Sequence, residues 1–132
     1  SYAISPTAHI RKGHVAVLLG VVLWRAGERE RAARLFSDFE RFAAERMNGG
    51  SEYYLLRYSL AELHAVHGEP EQALDWLERA VDTGWVEVEV TLLDPLLAPL
   101  RDEPRFRAIV RDMRTRAAEL RRRVEADAGR RP

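Results

Sequence analysis

Between residues 56 and 85 the apolar positions fall in two blocks of three- and four-residue spacing, separated by one glycine. Leu56, Leu60, Leu63 and Val66 form the first block, and that spacing predicts an amphipathic helix ending near His67. Gly68 can take the left-handed conformation that closes a helix without a Cβ clash. Pro70 stands where a first helical turn tolerates a missing N–H. Ala73, Leu74, Leu77, Ala80 and Val81 make the stripe of a second helix reaching Asp82 or Thr83, and Glu69, Glu71 and Asp75 load its start with charge that the helix dipole favours. The pair folds as an antiparallel hairpin about Gly68 and Glu69, and the remainder of the chain is expected to stack on it.

The same patterning extends in both directions. Ser5-Pro6 is a cap and first-turn pair, which predicts a first helix over residues 6–26. Its centre, Val15 to Leu23, is apolar nearly all round and calls for cover on both sides. A second helix is expected over residues 28–46, with Ala32, Leu35, Phe36, Phe39, Phe42 and Ala43 facing inward. A third should begin after Ser51, read as its cap. Residues 86–90 alternate like a strand; with no partner strand in the chain, they read as a short helical or irregular connector ending at Asp94-Pro95. Pro95, Pro99 and Pro104 break the next stretch into turns. Pro104 opens a last helix with Asp102 or Glu103 as cap and Phe106, Ile109, Val110 and Met113 as its apolar face. Beyond Arg114 that helix becomes arginine-rich and projects into solvent, fraying from Asp127 onward.

Setting Gly27 over Gly68 superposes Leu19-Gly20 on Leu60-Ala61, Leu23 on His64, Ala32 on Ala73, Phe36 on Leu77 and Phe39 on Ala80. LGVVLWRAGERERAARLF and LAELHAVHGEPEQALDWL are thus one unit used twice, and that unit resembles the tetratricopeptide repeat. It departs from the family in four ways: its spacing exceeds the family's ~34 residues, His64 stands at a usual aromatic position, Phe39 replaces a small residue, and no proline closes either repeat. The extra length is expected in a loop at residues 47–51. Further on, DPLLAPLRDEPRF resembles the segment that closes bacterial arrays of this repeat. The resemblance implies that Leu96, Leu97, Leu100 and Phe106 cap the last repeat. It implies an all-α fold of TPR-like antiparallel hairpins, an α-α superhelix with a C-terminal capping helix. Repeats at about 13–46 and 54–85 and a capping segment at 86–126 would make one domain over 1–132.

Composition adds limits. The chain of 132 residues has no cysteine, so it has neither a disulfide framework nor a thiolate metal site. Its longest apolar run, Val15 to Trp24, is about half of the ~20 residues a bilayer span needs. No signal-peptide pattern precedes it, and a cytoplasmic location is expected with no membrane partner. A start at Ser1 suggests a piece of a longer bacterial regulatory or scaffold protein. Net charge is zero but uneven: residues 58–100 carry nine acidic side chains against Arg79 alone, while residues 101–132 carry eleven basic against six acidic. Such an arrangement can steer a partner or pair two copies.

Chemistry is sparse. His64 and His67 share a helix face, but two imidazoles without a third ligand make no metal site; His64 reads as a packing residue and His67 as a helix end. His9 and His14 show no metal pattern. Ser37, Ser51, Ser59, Thr83 and Thr91 lie in no nucleophile setting. Glu87 and Glu89 diverge on a helix, and Gly49-Gly50 is no phosphate loop. No catalytic residue, metal or cofactor is therefore expected. Arg121 to Arg123 could touch phosphates, though without aromatics for stacking, so a nucleic-acid-associated regulatory segment is the alternative function. The main expectation is a non-catalytic module that binds a protein or peptide, or itself as a homodimer. The resemblance places its concave groove at His14, Val17, Leu18, Val21, Trp24, Arg25, Leu55, Tyr58 and Glu62, filled by the last helix, a partner or a second copy.

Overall fold

The computed structural model describes the backbone of residues 6–51 and 53–130, and the side chains within this span from Val15 onward. Six α-helices follow in order: α1 (Pro6–Arg25), α2 (Arg29–Asn48), α3 (Tyr54–Val66), α4 (Pro70–Asp82), α5 (Val88–Leu93) and α6 (Pro104–Arg130), with a 3-10 turn at Pro95–Leu100 between the last two. Among the described residues there is no strand, and the alternating stretch 86–90 resolves into a linker and the first turn of α5. The expected cap at Ser5 and the side chain of the histidine at position 9 lie outside what is described. Ser51 does not cap α3: its hydroxyl accepts the Tyr53 amide at 3.5 Å, one residue before the helix starts. Glu103 does stand at the start of α6, where its carbonyl accepts the Arg107 amide.

The two hairpin turns are built alike, bond for bond. At Gly27, with φ of +87°, the Glu28 amide donates to the Leu23 carbonyl and the Gly27 amide to that of Trp24. At Gly68, with φ of +72°, Glu69 donates to His64 and Gly68 to Ala65. Both are Schellman closures, in which a left-handed residue lets two amides satisfy the helix's last carbonyls. Gly50 and Gly84 close α2 and α4 with the same bond pattern.

The extra length of the first unit does not lie in a loop. Met47 and Asn48 are helical, and α2 runs for 20 residues where its counterpart α4 has 13. The seven additional residues are about two turns at 3.6 residues each. Two inserted turns preserve the facing of a helix, which is why α2 keeps a single buried stripe, Ala32, Phe36, Phe39 and Ala43.

The helices pack in sequence: α1 on α2, both against α3, α3 on α4, and α4 on α6. Two apolar clusters result. The first hairpin supplies Val17, Val21, Ala32, Phe36 and Phe39 to one of them, which α3 completes with Leu56, Leu60 and Leu63. The other gathers Tyr58, Ala61 and Ala65 of α3 with Leu74 and Leu77 of α4, Trp85, Leu97, Leu100, and Phe106 and Met113 of α6. Helix α3 is the wall between them. The expectation that α1 is covered on both sides fails: Val17 and Val21 are buried, while Val15, Leu18, Leu19 and Val22 are 42–62% exposed.

The first hairpin packs tightly at Gly20, where an added Cβ would lie 2.5 Å from Phe36 Cε1. Phe36 cannot easily yield, being buried with its ring edge-on to His67 at 4.9 Å. Gly20→Leu should therefore cost about 1–3 kcal/mol by overpacking, with the helical content of the native state unchanged. Urea unfolding followed by circular dichroism checks this, and an unaltered midpoint would contradict the packing described.

Candidate interaction surfaces

The inner face of α3, where a repeat groove would open, is filled by the chain itself. The 3-10 turn lies along α3, with Leu97 and Leu100 fully buried and Leu96 reaching into the first hairpin's cluster. Asp94 anchors the turn from both ends of its carboxylate. One oxygen accepts the Leu96 amide at 2.9 Å, capping the turn, and the other accepts the Tyr58 hydroxyl. Arg101 returns to the Asp94 carbonyl at 3.1 Å. Beside this, Tyr58 stacks on Trp85 with centroids 4.1 Å apart. The Trp85 indole N–H donates to Thr91 Oγ1 at 2.9 Å, and that hydroxyl donates to the Glu87 carbonyl. Each buried polar tip in this chain of contacts has a partner, as burial requires.

The residues read as a groove thus separate into groups. Val17, Val21, Tyr58 and Glu62 are buried in the packed interior. Leu55 is half-buried against the second cluster. Trp24 is half-buried too, held between the Arg29 guanidinium at 4.3 Å from its ring and the His67 imidazole at 5.9 Å. Leu18 and Arg25 are exposed, and the His14 side chain lies outside the described residues. The last helix does not cover α1: α6 packs on α4 and α5.

What remains open is a strip on α1. Val15, Leu18, Leu19 and Val22 occupy one face at three- and four-residue spacing, and no charged side chain interrupts residues 15–24. The signal was present in the all-round apolarity of this helix, but periodicity alone did not say which side would stay bare. Sequence reading also missed a second open stripe, on the outer part of α6, where Leu120 and Val124 are exposed.

His67 keeps the helix-end role read for it and takes the packing role read for His64 as well. His67, besides ending α3, packs between Phe36 and Trp24, while His64 lies 3.2 Å through Nδ1 from the Glu69 carboxylate. Among the described residues no three His, Cys, Asp or Glu side chains converge as a metal site would need. None of the described helices is long and apolar enough to cross a membrane. The acidic face of α4 is tied to α6 through Arg105, which reaches Asp75, Glu78 at 3.0 Å and Glu71 at 3.7 Å. Hydrogen bonds to Glu78 and Asp75 raise the pKa of that guanidinium further above its ordinary value.

Comparison with known families gives the same two units. The sequence model of the family described as Tetratricopeptide repeat matches residues 13–37 and 55–79, within α1–α2 and α3–α4 respectively. No curated protein and no solved structure matches the chain.

Tyr58 supplies a test of the α3 lock. Burial first, and then the bond to Asp94, hold its hydroxyl protonated well beyond the ordinary phenol range. Its folded pKa lies above the unfolded value of about 10, so its contribution is complete below that pH and is lost as pH rises beyond it. Stability should fall above about pH 10 with a slope of up to about 1.4 kcal/mol per pH unit from this group. Tyr58→Phe should lessen that slope and cost about 1–2 kcal/mol at neutral pH. Urea titrations across the pH range measure both, and an unchanged alkaline slope in the variant would contradict this account of Tyr58.

Proposed function

We propose that this chain, which carries two tetratricopeptide repeats, is a non-catalytic protein-association module, and that it associates with a second copy of itself through α1. Repeats of this kind generally mediate contacts between proteins. The observation that carries the self-association is the exposed strip Val15, Leu18, Leu19 and Val22. Aliphatic patches left in water are disfavoured by about 25 cal/mol per Å², and contiguous ones commonly mark interaction sites.

The strip suits a second copy because residues 15–24 carry no charged side chain, so no like charges oppose each other within it. In a twofold pairing each residue of the strip meets the same patch on the partner. Leu18 belongs to the contact directly, and Arg25 and the half-buried Trp24 lie at its rim. Four side chains per copy make a small interface, which supports a dissociation constant on the order of micromolar or weaker. We read residues 1–132 as one unit, with repeats at about 13–46 and 54–85 and a closing segment at 86–126. The likeness of DPLLAPLRDEPRF to the closing segment of bacterial arrays supports a regulatory or scaffold role in a bacterial cytoplasm.

Sedimentation equilibrium tests this reading. The chain should show a concentration-dependent monomer–dimer equilibrium, and Leu19→Glu with Val22→Glu should leave a monomer with an unchanged melting temperature at low protein concentration. A chain that stays monomeric at several hundred micromolar, or a variant that dimerises as before, overturns it.

A further inference from the structure

The second open stripe leads to a different partner. Helix α6 has 27 residues, and its fully packed positions end at Met113. The 17 residues from Arg114 to the end of α6 extend about 25 Å beyond that point, at 1.5 Å per residue. The apolar face does not end there. Val110 and Met113, both buried, are continued at alternating three- and four-residue steps by Ala117, Leu120 and Val124 until Asp127 ends the series. That is the a/d seam of a coiled coil, half of it occupied by the body of the protein and half of it bare.

The seam is bordered by arginine on both sides. At 100° per residue, Arg114 and Arg121 lie along one edge and Arg116 and Arg123 along the other. The edges differ. Arg116 is bound to Asp82 at 2.8 Å and to Asp112 at 3.1 Å, and Arg123 to Glu119 at 2.8 Å. Arg114 and Arg121 form no salt bridge among the described residues. The paired edge also borders an open cleft of about 570 Å³ between α6 and the end of α4, with Val81, Gly84, Val86 and Leu120 on its walls.

We propose that the outer half of α6 docks an acidic amphipathic helix of another protein. Its apolar residues would lie on Ala117, Leu120 and Val124, one of them entering the cleft beside Val86. Acidic residues seven positions apart would meet Arg114 and Arg121. Like charges on both edges exclude the stripe's own copy: in either orientation of two α6 helices, arginine faces arginine. The chain's acidic helix α4 does not supply the partner either, because its apolar face is buried and Arg105 engages its carboxylates. A nucleic acid would use the arginines but gains nothing from a row of aliphatic side chains. This surface is separate from the α1 strip, since α1 packs on α2 and α3 and α6 on α4 and α5.

The test uses the full chain and a labelled synthetic helix with leucine at its seam positions and glutamate at the flanking ones, read by fluorescence anisotropy. The glutamate peptide should bind, and a twin with lysine flanks should not. Leu120→Ser with Val124→Ser keeps every arginine and should weaken binding by about tenfold, the loss expected from two apolar contacts. Arg114→Glu with Arg121→Glu should transfer the preference to the lysine peptide. The positions changed are exposed, so melting temperatures should not move. No binding of the glutamate peptide overturns the proposal, and so does undiminished binding by the serine variant, which would reduce the effect to charge alone. A duplex oligonucleotide that binds more tightly than the peptide, indifferent to the serine changes, would overturn it in favour of nucleic acid.

Discussion

Helix α3 has no side facing water along its middle, and the rest of the structure is arranged to make that possible. Leu56, Leu60 and Leu63 face the first hairpin, Ala61 and Ala65 face α4, and Tyr58, Ser59 and Glu62 are buried with them. A helix enclosed on every side must bury polar groups, and each of those has to be hydrogen-bonded to avoid a penalty of about 1–3 kcal/mol. For Tyr58 the bond to Asp94 meets that demand, and it does so across 36 positions of sequence. Asp94 thereby decides where the 3-10 turn lies, and the turn in turn sets the direction in which α6 leaves.

This enclosure moves the sites available for binding. An open two-repeat stack would offer its inner face to a peptide. Here Leu97 and Leu100 occupy the space along α3, and the open stripes of α1 and α6 lie at the two ends of the helix sequence. They differ in chemistry. The α1 strip is uncharged and compatible with itself, whereas the α6 stripe is bordered by arginine and is not.

Much of this architecture was legible in the sequence because its cause is local. Gly27 and Gly68 announce identical helix closures, and Ala32 and Ala73 are matching small residues of the two units, both fully buried. The last repeat's cover by Leu96, Leu97, Leu100 and Phe106 followed from resemblance to closing segments, and these side chains are buried. What could not be read depends on contacts far apart in sequence. The inner face of α3 has the same periodicity whether a partner or the chain's own turn fills it, so Val17, Val21, Tyr58 and Glu62 looked like groove when they are interior. Gly49-Gly50 points to a loop for the seven extra residues, yet two more helical turns leave the apolar register of α2 intact. His64 and His67 sit one turn apart, and only the neighbouring hairpin decides which of them packs against Phe36.

The turn at Pro95–Leu100 is part of the α3 core and not a detachable cover. Native-state hydrogen exchange, resolved to short peptides by mass spectrometry, measures this most directly. The amides of Leu60 to Leu63 and those of Leu96, Leu97 and Leu100 should open together, in the slowest-exchanging unit of the protein. The outer half of α6, beyond Met113, should exchange far earlier. Early exchange of the turn while α3 stays protected would contradict the account, because it would mean that the inner face of α3 opens to a ligand without unfolding the core.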